Sequence, residues 1–215
     1  DIVIAREVSP RSPQDGRIDY PFLSQVQDKV HPPYPELRAA FEQTELVAVL
    51  EQDLRVRAVP PGAELAVIVP PREGRSGQDI FGRITKMVFA TAKEPHLRAG
   101  PNVQVQDNRY ISQTYGYVCV LGDEISVIAP IWVSPDGLEA HFVHFPQVGP
   151  QLLPEMEWLA QILERMHIKQ DIPASAAQQL RQYLTEGETR KGSILLAQGS
   201  APVLGKDAYV QCHFE

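Results

Sequence analysis

The spacing of apolar residues changes once along the chain, at Pro146, and this change limits the folds that the chain can adopt. Before Pro146, short segments with apolar residues at alternate positions lie between turn formers such as Pro60-Pro61-Gly62 and Pro135-Asp136-Gly137. Alternation is typical of β-strands, and frequent turns suit hairpins. After Pro146, apolar residues recur every three or four positions, which is typical of helices. The sequence therefore predicts an α+β protein, mainly β, with a strand-rich body and a small helical C-terminal part.

Helices are predicted at three places. The first C-terminal helix, at 154–167, begins with a proline, which fits a first helical turn because its missing N–H group needs no partner there. The second, at 173–186, also carries a proline in its first turn. A shorter helix is expected at 34–44, where apolar residues follow helical spacing.

Turn-forming residues at 145–150 separate the two patterns and suggest a domain boundary. We expect a β-rich body at 1–146 and a second domain at 147–215, which holds the helical pair and a further strand segment. All residues from about 45 to 146 are assigned to the β body. Its predicted strands include 55–59, 84–89, 102–105 and 115–120.

Composition and charge exclude several classes of protein. The 215 residues are 43% hydrophobic and 22% charged, which is ordinary for a folded chain and unlike disordered or collagenous sequences. A net charge of −7 has the wrong sign for neutralising phosphates, so we expect no nucleic-acid partner. Apolar runs stay far below the ~20 residues of a membrane span, and no signal peptide can be read. We expect a cytoplasmic protein with no membrane insertion and no cofactor.

The most distinctive stretch is a loop rich in glycine and arginine at 72–83, which follows an apolar segment. Phosphate-binding loops usually continue into a Lys-Ser/Thr pair and a helix, and neither follows here. A turn whose glycines supply positive φ angles is therefore favoured. The alternative stays open that Arg72, Arg75 and Arg83 bind an anion, through charge-assisted hydrogen bonds.

No residues in the sequence have the spacing of a catalytic or metal site, so none is predicted. There is no G-x-S-x-G elbow and no cysteine set beside a placed histidine. His141 and His144 fall in a strand pattern that points them to opposite faces, so we expect ordinary surface or half-buried histidines. Cys119 is expected to be a small buried hydrophobe. Lys86 as the attachment lysine of a carrier domain is disfavoured, because its neighbours predict a continuous strand.

The two ends of the chain resemble each other. When residues 4–22 are aligned with 196–214, both contain a short strand, a proline, a turn with an aspartate, a second strand and a phenylalanine. The C-terminal copy carries apolar residues that need burial, and unpaired strands tend to join a sheet edge. We therefore expect 194–214 to add to an edge of its own body or of another copy, the latter giving a homo-oligomer.

Motifs of glycine, proline and apolar residues run through most of the chain. They are Leu65-Ala66, Pro70-Pro71, Gly74-x-x-Gly77-x-Asp79-Ile80-Phe81-Gly82, Ala99-Gly100-x-Asn102-Val103, Tyr115-Gly116-Tyr117-Val118 and Ile125-Ser126-Val127. A helical pair followed by Ala197, Pro202, Gly205 and Asp207 completes the pattern. In these motifs the chain resembles the N-terminal domain of the flagellar assembly protein A (FapA-type) family. The repeated ends suggest a tandem arrangement of such modules.

The resemblance implies a non-enzymatic, cytoplasmic bacterial protein that acts in flagellar assembly through contacts with a protein partner. It implies structural roles for a set of motif residues, namely Gly74, Gly77, Asp79, Gly82, Gly100, Asn102 and Gly116. The competing interpretation is a small-molecule or anion-binding module that uses the 72–83 loop.

Overall fold

The computed structural model describes residues 8–21, 34–85, 91–148, 151–169, 171–186 and 191–200, except for the side chains of Tyr34, Thr85, Arg181 and residues 183–186. These residues form thirteen strands and four helices. In chain order they are β1 (Arg17–Asp19), α1 (Tyr34–Phe41), α2 (Leu46–Glu51), β2 (Ala58–Val59), β3 (Glu64–Val69), β4 (Gly77–Gln78), β5 (Ile84–Thr85), β6 (Arg98–Ala99), β7 (Val103–Gln106), β8 (Arg109–Ser112), β9 (Gly116–Leu121), β10 (Glu124–Ile128), β11 (Ile131–Val133), β12 (Glu139–His144), α3 (Met156–Arg165), α4 (Ala174–Glu186) and β13 (Gly192–Gln198).

The strands form three larger sheets and one separate hairpin. The first sheet has the order β1-β3-β8-β7, the second β2-β9-β10-β6 and the third β11-β12-β13, while β4 and β5 form the hairpin. The pairing of β6 with β10 is parallel, and the other strand pairs are antiparallel. This arrangement confirms the predicted fold class, mainly β with a small helical part.

Local sequence explains the tightest turn in the first sheet. Gln106 of β7 pairs with Arg109 of β8, so two residues make the turn between them. These residues, Asp107 and Asn108, have φ angles of 46° and 65°. Two-residue hairpins favour positive φ at both central positions, and Asn and Asp tolerate that conformation. The turn chemistry therefore fixes the register of this hairpin.

Strand β9 lies between two cores, because successive side chains of a strand point to opposite faces. Tyr117 and Cys119 belong to the larger core, as does Tyr115 just before the strand, whereas Val118 belongs to the smaller core. The larger core also holds residues of the helices and the third sheet, including Leu37, Phe142, Phe145, Leu159, Leu180 and Leu196. Both faces of β9 are covered, which explains why its sequence is apolar throughout.

The helices largely agree with the sequence. Two predicted C-terminal helices are confirmed as α3 and α4, and the 34–44 helix as the shorter α1. In α3, Leu159, Ile162 and Leu163 are buried, and their spacing places them on one face.

Residues 46–50 correct the expectation of an entirely β body from residue 45, because they form most of α2. A run of five apolar residues fits a buried strand or a short helix equally well, and tertiary packing decides between them. Here Val49 is completely buried in the larger core, whereas Val47 is 63% exposed. The helix thus buries one face only.

Strand β13 pairs antiparallel with β12, so the third sheet joins residues from both sides of Pro146. The division into domains at 1–146 and 147–215 stays a prediction, and one core draws residues from both parts. Of the segment 194–214, residues 194–198 add to the edge of a sheet of their own chain. Residues 201–214 lie outside the described residues, as do 4–7 and Phe22 of the N-terminal copy.

Candidate functional site

Residues 8–17 and 69–78 run antiparallel and pair at every third residue instead of every second. The paired residues are Val8 with Gln78, Arg11 with Arg75, Gln14 with Arg72 and Arg17 with Val69. In each of the first three pairs the two residues exchange two backbone hydrogen bonds of 2.8–2.9 Å. A period of three is that of the polyproline II helix, which makes no hydrogen bonds within itself. We name these two segments the triplet ladder.

In the triplet ladder a glycine of each segment lies against the backbone of a proline of the other. Gly77 lies against Pro10, and Gly16 lies against Pro71. A Cβ atom on Gly77 would lie 2.6 Å from both Cδ of Pro10 and the carbonyl oxygen of Val8. A Cβ atom on Gly16 would lie 3.0 Å from the backbone nitrogen of Pro71. Close approach of the two backbones therefore requires glycine at these positions.

The triplet ladder leads directly into the β4–β5 hairpin, whose turn is organised by Asp79. The Oδ1 atom of Asp79 accepts hydrogen bonds from the backbone N–H groups of Phe81 at 2.9 Å and Arg83 at 2.7 Å. Its own backbone N–H group donates to the carbonyl oxygen of Arg83 at 3.0 Å. Gly82 has a φ angle of 80°, which favours glycine. These contacts fix the turn in one conformation.

The hairpin tip, defined as residues 79–84, exposes large apolar side chains. Ile80 is 59% exposed, Phe81 76% and Ile84 66%. The guanidinium carbon of Arg83 lies 5.6 Å from the centroid of the Phe81 ring, a cation–π arrangement. Exposed apolar clusters rimmed by charged groups commonly mark binding surfaces. Sequence reasoning did not single out these apolar residues, although the motif contains Ile80 and Phe81.

The three candidate anion ligands occupy two different places. Arg72 and Arg75 lie on the triplet ladder, whereas Arg83 lies on the hairpin tip beside Phe81. Arg11 is a further candidate, because it pairs directly with Arg75. Sequence reasoning missed it because that pairing joins segments far apart in the chain. The available signal was the shared spacing of prolines and glycines every three residues in both segments.

A cavity of about 380 Å³ opens beside the triplet ladder. It is lined by Arg11, Ser12, Gln14, Arg72 and Glu73. Arg11 and Arg72 are exposed, and neither forms an ion pair with a residue in the described part of the chain. The cavity therefore combines two unneutralised guanidinium groups with neutral polar side chains and one carboxylate.

The remaining motif residues, Gly100, Asn102 and Gly116, lie in the second sheet or in the turn that follows β6. A Cβ atom on Gly116 would lie 2.4 Å from the carbonyl oxygen of Ile128, and one on Gly100 2.7 Å from Oε1 of Glu124. Asn102 has a φ angle of 59°, and its amide nitrogen donates to the carbonyl oxygen of Val127 at 2.8 Å. The backbone therefore leaves no space for a side chain at Gly100 and Gly116, and the hydrogen bond of Asn102 connects the turn before β7 to β10.

Both histidines of β12 lie in closely packed surroundings. Nε2 of His141 is 3.0 Å from Oε2 of Glu139, and its ring centroid lies 5.8 Å from that of Trp132. His144 is only 3% exposed, and burial lowers its pKa to about 4. The expectation of a surface or half-buried histidine is therefore wrong for His144. Its strand is covered on both faces, since neighbouring Phe142 and Val143 are both buried.

Cys119 is completely buried, as expected, and burial raises the pKa of its thiol to about 12. A thiol in this state is a poor nucleophile. Among the residues that the structure describes, no group of three or more His, Cys, Asp or Glu side chains is arranged to hold a metal ion. Lys86, the residue considered for carrier attachment, lies outside the described residues. No described helix is long and apolar enough to cross a membrane.

The fold and the motifs together define a β-rich module in which a proline- and glycine-rich ladder presents an exposed hairpin. The chain belongs to the family described as the Flagellar Assembly Protein A N-terminal region, whose family model matches residues 1–123 and 129–215. This confirms the resemblance read from the sequence. Neither the curated proteins nor the solved structures contained a match to the chain.

Proposed function

We propose that this chain acts in flagellar assembly in the cytoplasm, without catalysing a reaction, by binding a protein partner through the hairpin tip. The observation that carries the proposal is the exposure of Ile80, Phe81 and Ile84 on a turn that Asp79 holds in place. Membership of the flagellar assembly family supports a role in flagellar assembly. The exposed apolar side chains of the hairpin tip support action through a protein partner.

The hairpin tip has the composition of a protein-binding surface. Aromatic and arginine side chains dominate the affinity of most interfaces, and here Phe81 and Arg83 lie side by side. Because the turn is already fixed by backbone hydrogen bonds to Asp79, little conformational entropy is lost on binding. The partner that fits is a protein with an apolar pocket for Phe81 and an acidic group at its rim for Arg83.

The chemistry of the hairpin tip favours binding over catalysis. Its described side chains are apolar or cationic, apart from Asp79, whose carboxylate already accepts hydrogen bonds from two backbone N–H groups. A general base or nucleophile needs a free reactive group beside the substrate. None is present among the described residues of the hairpin tip.

Site-specific photo-crosslinking in flagellated cells tests the proposal. A photoreactive phenylalanine analogue replaces Phe81 in one strain and Leu121 in another. Leu121 is a matched control because it is an exposed apolar residue, 47% exposed, at the end of β9. We expect position 81 to give an adduct of defined mass with a flagellar assembly protein, and position 121 to give none.

Swimming in soft agar gives the second readout. We expect the Phe81→Ser variant to reduce swimming several-fold at unchanged protein level, and Leu121→Ser to leave it unchanged. Normal swimming in Phe81→Ser cells together with no adduct at position 81 contradicts the proposal.

A further inference from the structure

The triplet ladder places two arginines in one backbone pair and a third arginine in the next pair. Arg11 and Arg75 form one hydrogen-bonded pair of the ladder, and Arg72 lies in the next pair, opposite Gln14. Like charges in directly opposed positions repel and destabilise the pairing. None of the three arginines has an ion-pair partner among the described residues. An anion bound beside Arg11 and Arg72 would offset part of this positive charge.

The side chains that line the cavity beside the triplet ladder indicate which chemical groups the bound anion contains. Arg11 and Arg72 each supply a planar set of N–H donors, which matches the oxygens of a phosphate group. Ser12 and Gln14 donate and accept hydrogen bonds, whereas Glu73 can only accept them when ionised. A carboxylate repels a second anionic group but binds hydroxyl groups. The volume of about 380 Å³ exceeds that of a phosphate ion and is in the range of small-molecule sites.

We propose that the cavity lined by Arg11, Ser12, Gln14, Arg72 and Glu73 binds a small phosphorylated polyhydroxy compound, that is, a sugar phosphate. The phosphate lies between the guanidinium groups of Arg11 and Arg72. The hydroxyl groups of the sugar face Glu73, Gln14 and Ser12. Arg75, opposite Arg11, adds positive potential without lining the cavity.

Isothermal titration of the full chain with four probes tests the proposal. The probes are ribose 5-phosphate, inorganic phosphate, ribose and O-phosphoserine. We expect ribose 5-phosphate to bind at least tenfold more tightly than each of the others, because it alone combines a phosphate with sugar hydroxyl groups. Equal binding of inorganic phosphate would reduce the cavity to a plain anion site, and equal binding of O-phosphoserine would indicate phosphorylated side chains. Either result overturns the proposal, as does no binding of ribose 5-phosphate at millimolar concentration.

Three variants distinguish the roles within the cavity. Arg72→Gln removes a charged donor, and we expect it to weaken ribose 5-phosphate binding about ten- to hundredfold. Glu73→Gln replaces the carboxylate with a neutral amide, which accepts hydrogen bonds from hydroxyl groups more weakly and no longer repels a second anion, so the preference for ribose 5-phosphate over inorganic phosphate should fall to less than threefold. Arg109→Gln is the control, because Arg109 is also exposed and lies on β8 of the first sheet, away from the cavity lining.

Circular dichroism and thermal melting establish that each variant is folded before titration. Because Glu73 is not one of the paired ladder residues, its variant keeps the proposal testable if Arg72→Gln fails to fold. Loss of binding in Arg109→Gln equal to that in Arg72→Gln, or an unchanged preference in Glu73→Gln, contradicts the assignment. The titrations test the cavity alone, so their result does not depend on whether crosslinking supports the hairpin tip as a protein-binding surface.

Discussion

The hydroxyl group of Tyr117 donates a hydrogen bond of 2.8 Å to the carbonyl oxygen of Val143 and so connects two sheets. Tyr117 lies in β9 of the second sheet, and Val143 in β12 of the third. The same hydroxyl oxygen accepts a hydrogen bond from the backbone N–H group of Phe145 at 3.4 Å. Tyr117 is completely buried, and burial raises the pKa of its hydroxyl group. The hydroxyl group therefore stays protonated and keeps its role as a donor.

The first prediction concerns this connection. Tyr117→Phe leaves the carbonyl of Val143 without its hydrogen bond from this hydroxyl group, and a buried unsatisfied polar group costs about 1–3 kcal/mol. We expect the free energy of unfolding in urea to fall by that amount. Thr91→Val, which removes an exposed hydroxyl group, serves as the control and should change it by less than about 0.5 kcal/mol. Equal stability of Tyr117→Phe and the unmodified chain would contradict the prediction.

The sequence predicts three of the four helices and several of the strands because their signals are local. The spacing of Leu159, Ile162 and Leu163 contains the helical period, and Asp107-Asn108 contains the turn chemistry of its hairpin. The signal of the triplet ladder is a spacing of prolines and glycines at every third residue in both segments. Its period of three matches neither a strand nor a helix, and its pairs join residues that only the fold brings together.

The same limit applies to the candidate site. Arg72 and Arg75 were visible as charged residues of a glycine-rich loop, but the partner of Arg75 is Arg11, in a different segment. The burial of His144 was also hidden, because polar and apolar residues alternate from Glu139 to Phe142, whereas the last three residues of the strand are all buried. The local sequence pattern therefore identifies the 72–83 loop, but only the pairing of distant segments in the fold determines which side chains lie beside it.

The second prediction tests the close approach within the triplet ladder. Gly77→Ala places a methyl group 2.6 Å from Cδ of Pro10, so the two segments must separate. We expect a loss of about 1–3 kcal/mol, typical of overpacking, and faster amide hydrogen exchange at Val8 and Arg11. Gly199→Ala is the matched control, because its nearest neighbour is a flexible leucine side chain at 3.4 Å. Equal exchange in the two variants would show that the ladder tolerates a side chain.

The third prediction concerns acid. Burial lowers the pKa of His144 to about 4 from its ordinary value of 6.5. As pH falls below about 6.5, the unfolded chain takes up a proton at His144 that the folded chain does not bind. The free energy of unfolding is therefore unaffected by the titration of His144 above pH ~6.5, and it falls progressively as the pH is lowered from ~6.5 towards ~4. The loss amounts to about 3 kcal/mol.

Urea unfolding at several pH values between 7.5 and 4 measures this effect. Other groups also titrate in this pH range, so the contribution of His144 is isolated by comparing the pH profile of the unmodified chain with those of histidine variants. His144→Leu should remove about 3 kcal/mol of the acid-dependent loss, and His96→Gln, at a side chain that is 76% exposed, is the control for the removal of a histidine. Parallel pH profiles for the unmodified chain and His144→Leu would refute the assignment.

The last prediction concerns association through the C-terminal segment 194–214. Strand β13 ends at Gln198, and Ile194, Leu196 and Ala197 are buried in the larger core. A chain that ends at Gly192 loses these side chains and should be strongly destabilised, by several kcal/mol, whatever the oligomeric state. A cut at this point therefore cannot test association by itself.

A chain that ends at Ser200 retains all of β13 and removes the remaining part of the repeated segment, including Val203, Val210 and Phe214. If the removed part joins a sheet edge of another copy, the full chain sediments as a dimer or larger species, and the chain ending at Ser200 as a monomer with the same circular dichroism per residue. Val203→Ser in the full chain should weaken association less than truncation does, because it removes one apolar side chain and leaves the backbone able to pair. If the full chain and the chain that ends at Ser200 are both monomers at every concentration, the prediction of association through this segment is wrong.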